Sequence, residues 1–174
     1  MELPVKMAKA FIIEEWNETH PRWQEVVQCI ETAAPEQSSW VFGEYYRNSE
    51  CHLFVALQNN EVVGFLRFAV QPIGPELNCP PLFLKGLPLN EAKIHAFAVR
   101  ENARRQGIGK ALQREAIKRA KECDCYQIRS ESSYASAANH QVKLSLGFAA
   151  QPEAREIKGE IETLVNFVMP LRNK

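Results

Sequence analysis

The chain of 174 residues has no surplus of charge of either sign, because 21 Lys and Arg balance 21 Asp and Glu. Neutralising a phosphate backbone takes a basic excess, so no nucleic-acid partner is expected. No apolar run approaches the roughly 20 residues of a membrane span. The opening MELPVKMAKAF also has no apolar core of signal-peptide length. No membrane partner is expected, and a cytoplasmic setting is. The five cysteines (Cys29, Cys51, Cys79, Cys123, Cys125) are odd in number and irregularly spaced, which favours reduced thiols over a disulfide framework. Cys123-Asp124-Cys125 is followed by no second ligand pair at zinc spacing, so no metal is expected. Internal repeats, linkers and low-complexity tracts are missing too. With 45% hydrophobic residues, the chain reads as one domain, residues 1–174, large enough to bury a core.

What the chain does have is one organising stretch, IHAFAVRENARRQGIGKA, from Ile94 to Ala111. Ile94 to Val99 is almost entirely apolar, as a buried strand is. Arg104 to Lys110 is basic and punctuated by Gly107 and Gly109. Ile108, Leu112, Ala116 and Ala120 then recur at four-residue steps on one helical face. A strand, a glycine loop and a helix start make an anion site, since the first-turn N–H groups and the positive end of the dipole point outward together. From Arg100 to Lys121 there are eight Lys or Arg and two Glu. Those on the outer helix face read as solvated, whereas Arg104, Arg105 and Lys110 flank the helix start and suit phosphate. A nucleotide P-loop is excluded because Ala111 follows Lys110 where Ser or Thr would hold Mg²⁺. The dinucleotide pattern fails as well, because Leu112 stands at its third glycine.

The spacing that fits is R-x-x-G-x-G, Arg104 to Gly109. Between HAFAV and an amphipathic helix, it resembles the acetyl-CoA signature of the GCN5-related N-acetyltransferases (GNAT). The order of elements is similar to theirs along nearly the whole chain. Lys9 to Glu14 reads as a strand. One helix follows from Thr19-His20-Pro21, with Trp23, Val26, Val27 and Ile30 inward, and a second spans Glu36 to Arg47. Cys51–Gln58 and Glu61–Val70 flank Asn59-Asn60, a two-residue hairpin signal, and Gly64 marks a bulge or a close approach. Gln71 to Asn90, with five prolines and two glycines, reads as a loop whose Leu82-Phe83-Leu84 packs on something and which forms a lid over the cleft. Strands at Gln127–Ser130, from Phe148 and at Thr163–Leu171 then flank a helix from Ser133 to Leu146, stopped by Gly147. The resemblance implies an α/β (α+β) fold, a mixed central sheet of about six to seven strands flanked by about four helices.

Acyl transfer from a thioester to an amine needs the cofactor held, the carbonyl polarised, the amine deprotonated and the leaving thiolate protonated. The resemblance implies that backbone N–H groups of Arg105, Gln106, Gly107, Ile108, Gly109 and Lys110 wrap the CoA pyrophosphate, with Arg104 among the cofactor-binding residues. It implies that Phe97, Ala98 and Val99 pair like a strand with the pantetheine, with an N–H near Val99 facing the thioester oxygen. Asn139 falls near the family's CoA-contacting asparagine. The strand is also similar to that of the arylalkylamine (serotonin) N-acetyltransferases, where His95 matches one of two histidines and Lys93 replaces the other. His95 is the candidate general base, and its alternative is a histidine satisfied inside the sheet. Glu131 either orients the amine or helps the base, or is a solvent-facing carboxylate at a strand end, and the last is the commoner arrangement. Lys143 stands where the family often has an acidic tyrosine, and an exposed lysine is a poor acid at neutral pH. Tyr134, Ser145 and His140 are the other candidates. Trp40, Tyr45 and Tyr46 line a pocket or serve as core, and helical spacing favours core. The expected activity is acetyl transfer from acetyl-CoA to a primary amine in a ternary complex, with a small-molecule amine favoured over a peptide. The alternative is a catalytically silent acyl-CoA-binding sensor or partner module. A homodimer built on the last strands is left open.

Overall fold

The computed structural model describes residues 10–43 and 49–171. Among these, nine strands and four α-helices follow one another as β1 (Phe11–Trp16), α1 (Trp23–Ala33), α2 (Ser38–Phe42), β2 (Glu50–Gln58), β3 (Glu61–Pro72), β4 (Phe83–Leu84), β5 (Leu87–Pro88), β6 (Asn90–Val99), α3 (Ile108–Glu122), β7 (Gln127–Ser133), α4 (Ala137–Ser145), β8 (Ala149–Ile157) and β9 (Glu160–Pro170). Seven strands form one mixed sheet in the order β1-β2-β3-β6-β7-β9-β8, as the resemblance implied. Every pairing in it is antiparallel except β6 with β7. The one parallel pair exists because α3 connects its strands as a crossover. Asn59 and Asn60 both take positive φ, 51° and 63°, as a two-residue hairpin turn requires.

Two apolar layers lie on the two faces of the sheet. Val26, Cys29 and Ile30 of α1 pack with Val55, Phe65 and Ala96 on one face. Ile108, Leu112, Ala116 and Ala120 of α3 pack with Leu66, Phe68 and Ile128 on the other. The four-residue steps in α3 are therefore core contacts. Gly64 is a close approach: a Cβ there would meet the Ala98 carbonyl oxygen at 3.0 Å and Leu112 Cδ1 at 3.4 Å, so α3 can lie against β3 and β6.

Three local expectations are corrected. The second helix is short, because Pro35–Gln37 forms a 3-10 turn before α2, and the Tyr45–Tyr46 part of that expectation lies outside the described residues. Gln71 to Asn90 is partly ordered by the small β4–β5 hairpin. Its Leu82-Phe83-Leu84 run does not pack inward: the three are 54%, 62% and 46% exposed. The last helix begins at Ala137 instead of Ser133, since β7 continues to Ser133 and pairs with β9 as far as Leu164.

Candidate active site

The site begins with a strand that bends. Arg67 of β3 faces Ala96 and the next residue, Phe68, faces Ile94, so His95 is an extra residue in β6. A bulge of this kind bends its strand and sharpens the local twist. The parallel ladder accordingly stops early: Glu91–Ile94 pairs with Gln127–Ser130, while β6 runs on to Val99 and β7 to Ser133. The two strands open into a fork with His95 and Glu131 just beyond its last closed rung. Its base is locked by a buried ion pair, in which Arg129 of β7 donates to Glu91 of β6 at 2.7 and 3.0 Å. Arg129 also meets Glu76 from the 71–90 segment.

The backbone edge of β6 lines one limb of the fork. The Phe97 N–H donates to Gln37 Oε1 at 2.7 Å, and Gln37 Nε2 donates to the Phe97 carbonyl at 3.3 Å. Both peptide groups of Phe97 therefore turn away from β3, and alternation puts those of Val99 on the same edge. Arg104 Nε donates to the Val99 carbonyl at 3.0 Å. The N–H groups of Phe97 and, by alternation, Val99 therefore both face the fork. Gln37 carried no signal in the sequence, because a carboxamide in a Pro-Glu-Gln turn looks like any solvated loop residue.

Beyond β6 the chain reaches the start of α3. Gly107 is its N-cap at φ 84°, has no side chain to cap the first turn, and the first intrahelical bond is Ala111 N–H to the Gly107 carbonyl. The N–H groups of Gly107, Ile108, Gly109 and Lys110 consequently have no helical acceptor. No acidic residue stands in that turn. Basic groups at a positive dipole end are unfavourable unless an anion joins them. Ile108 contributes its backbone only, since its side chain is core. A Cβ on Gly109 would come within 3.1 Å of the Phe97 ring, so the glycine lets helix and fork share that ring.

The titratable groups have unusual surroundings. His95 is driven down to about 3 by burial first, then by the charges of Lys93, Arg67 and Arg129, and so is a neutral imidazole at working pH. Trp40 lies parallel to it with centroids 5.9 Å apart. Trp40 is 48% exposed, so its helical spacing did not mean core. Arg67 holds α2 there by donating to the Trp40 carbonyl at 3.0 Å and to that of Val41. Burial raises the Glu131 carboxyl, but Lys93, Arg155 and Arg129 outweigh it and the net direction is down. Lys93 Nζ donates to it at 3.0 Å and is itself pushed down, by burial and then by Arg129.

Lys143 differs most from its expected state. It is 1% exposed, and its Nζ donates to Asn139 Oδ1 at 2.8 Å. The Nζ lies 5.7 Å from the ring centre of Phe97 on β6 and 5.4 Å from that of Phe167 on β9. One ring comes from each side of the fork. Burial, then the Lys93 charge, pushes Lys143 down to about 7. Asn139 is fixed in turn by donating to Ser132 Oγ at 3.1 Å. Of the other acid candidates, Tyr134 is exposed, Ser145 turns back on the Val142 carbonyl, and His140 bonds the Ser133 carbonyl.

The pattern of the acetyltransferase (GNAT) family matches residues 11–148. The chain belongs to the GNAT family. The solved ribosomal-protein-S18-alanine N-acetyltransferase of Escherichia coli is similar at TM-score 0.63 and 17% identity, over 95% of this chain and 96% of that one. A GNAT acetyltransferase of Elizabethkingia anophelis, solved with acetyl-CoA bound, matches at TM-score 0.62 and 20% identity, over 92% and 98%. NAA60 of Arabidopsis thaliana, solved with a bisubstrate analogue, matches at TM-score 0.66 and 15% identity, over 92% and 98%. No curated protein sequence matches significantly. At these identities the neighbours establish the GNAT fold, and the family pattern establishes an acetyltransferase. None of the described helices is long and apolar enough to cross a membrane.

Proposed function

We propose that this chain transfers an acetyl group from acetyl-CoA to a primary amine, with residues 1–174 acting as one catalytic domain. The observation that carries this is the fork, in which the peptide edge of Phe97 and Val99 leads to the uncapped start of α3. Amides of the pantetheine arm pair with that edge, and the pyrophosphate takes the N–H groups from Gly107 to Lys110 with Arg104 and Arg105 beside them. The Phe97 N–H stabilises the charge that develops on the thioester oxygen, a task suited to a donor fixed beforehand. Gln37 holds that donor until acyl-CoA replaces its carboxamide.

Lys143 is the general acid. Two aromatic faces and Asn139 keep its ammonium chargeable, while burial brings it to about 7, where it gives a proton readily to the leaving thiolate. Proton removal from the attacking amine falls to Glu131, whose carboxylate is anionic, whereas an imidazole that titrates near 3 is neutral and offers no charge to draw an ammonium in. His95 and Trp40 instead form a neutral, flat wall for the acceptor. Glu131 is a weak base because its carboxyl is lowered, so the fraction of amine already neutral sets the rate. A small amine suits the aromatic wall, and the balanced net charge argues against a polycation.

The weak base also favours a second reading, a silent acyl-CoA-binding module. Calorimetry with acetyl-CoA, with ATP as control, followed by an assay for amine-dependent thiol release, separates the two. Acetyl-CoA binding with thiol release in the presence of amines supports the enzyme. Binding without release across aryl-, alkyl- and peptide amines supports the module. Absence of acetyl-CoA binding removes both.

A further inference from the structure

We propose that Glu50, His52 and Cys123 form a binding site for a divalent transition metal of the zinc class, remote from the fork. Glu50 and His52 are two apart on β2 and so share one face of the strand. Cys123 is the C-cap of α3. Glu50 Oε1 and His52 Nε2 are 3.2 Å apart, Cys123 Sγ and Glu50 Oε1 3.4 Å, and Cys123 Sγ and His52 Nε2 3.5 Å. A tetrahedral ion with bonds of about 2.0 Å to oxygen and nitrogen and about 2.3 Å to sulfur spaces its donors by about 3.3–3.6 Å. The triangle therefore has ligand spacing without rearrangement.

The surroundings are those of a ligand set. His52 Nδ1 lies 2.6 Å from Glu15 Oε1 on β1, which presents Nε2 to the triangle as a carboxylate behind a metal-bound histidine does. The ring is stacked on Phe68 at 4.9 Å, which fixes its plane. Glu50 is mostly exposed, so a fourth position opens to water. Thiolate, imidazole and carboxylate together suit Zn²⁺, or Co²⁺ as its probe. Binding breaks the S–H bond of Cys123, releases its proton to solvent and forms the metal–sulfur bond, with no change of oxidation state. The site lies at the far end of α3 from the anion-binding turn, about 22 Å along a 15-residue helix. An ion there ties the end of the cofactor-binding helix to β2 and, through Glu15, to β1.

The competing arrangement is a metal-free set of hydrogen bonds, in which His52 joins Glu15 to Glu50 and the Cys123 thiol donates to Glu50. The test is titration of the metal-free full chain with Co²⁺, following the thiolate-to-cobalt charge-transfer band, then competition with Zn²⁺. The expected result is one Co²⁺ per chain, displaced by Zn²⁺. The band should vanish in Cys123→Ser and survive in Cys51→Ser and Cys79→Ser. Glu15→Gln should weaken affinity about 10- to 100-fold. If Cys123→Ser does not fold, protection supplies the readout: Zn²⁺ should slow alkylation of Cys123 in the unaltered protein, measured by peptide mass. No band, a band that survives Cys123→Ser, or alkylation of Cys123 indifferent to Zn²⁺ would overturn the site.

Discussion

Lys143 shows how one residue's surroundings reverse its chemistry. Its ammonium is brought from an ordinary 10.5 to about 7. Between those values the unfolded chain holds the Lys143 proton and the folded chain does not, so stability from this group rises with pH. The slope is about 1.4 kcal/mol per pH unit across that window. Below about pH 7 the burial penalty is fully present, and above about 10.5 it is gone. Urea unfolding of Lys143→Met against the unaltered chain should therefore show a stability difference that shrinks steadily from pH 7 to pH 10. A structural role ends there, but an acid role adds a second signature. Because the neutral fraction of the amine rises as the Lys143 proton is lost, the kcat of the unaltered enzyme should rise to about pH 7 and then level off, whereas Lys143→Met should be slower by about 10²-fold or more and go on rising through pH 7. Equal pH profiles would remove the acid role. His95 gives the opposite expectation: His95→Gln should keep the pH profile of the unaltered enzyme, its break near pH 7 included, because the imidazole is already neutral there. A rate in His95→Gln that collapses together with a shifted pH profile would restore the histidine as base.

At the scale of elements, the fork depends on where β6 and β7 stop pairing. The Glu91–Arg129 pair sits at its closed end, with Glu91 also accepting from Gln127 at 2.8 Å and Gln71 at 3.2 Å. Burial raises the Glu91 carboxyl, but Arg129 outweighs it and the net direction is down. Glu91→Ala leaves the Arg129 guanidinium buried without this partner, a change of about 3–5 kcal/mol. Chemical denaturation should show a loss of that size together with weaker acetyl-CoA binding, while loss of stability with unchanged binding would mean that the clamp does not shape the fork. Much of this element scale was readable in advance. Gly107 and Gly109, the HAFAV strand and the four-residue steps of α3 are local patterns, and they gave the strand, the anion turn and the helix face. The bulge at His95 was not readable, because an extra residue in a ladder is defined by its partners across the strand, here Phe68 and Arg67, 27 and 28 residues away. Lys143 was misjudged as exposed for the same reason: periodicity sets which residues of α4 share a face, but only Phe97 and Phe167 decide which face is covered. Gln37 acts through its two hydrogen bonds to Phe97, 60 residues along the chain, which no local pattern encodes.

For the whole molecule, zero net charge and a basic turn at the start of α3 make the attraction of an anion local. Lys110, Arg104 and Arg105 crowd the positive end of α3 and have no acidic neighbour in its first turn, so a polyanion relieves a strain of the folded chain itself. Acetyl-CoA at about 100 times its Kd should stabilise the fold by ~2.7 kcal/mol. For a chain of this size that is a rise in Tm of about 5–10 °C. The gain should shrink as salt is raised from 0.05 to about 1 M, where the screening length falls to about 3 Å. Pantetheine, which offers the amides of the arm but no pyrophosphate, separates the two halves of the site. It should stabilise weakly, with little salt dependence, and it should do better in Gln37→Ala, where no carboxamide has to leave the Phe97 peptide. ATP supplies phosphates without the arm and should give less than acetyl-CoA. A shift from ATP equal to that from acetyl-CoA would show that the turn binds anions without the fork, and the coupling of strand edge to helix start would then be lost as the basis of recognition.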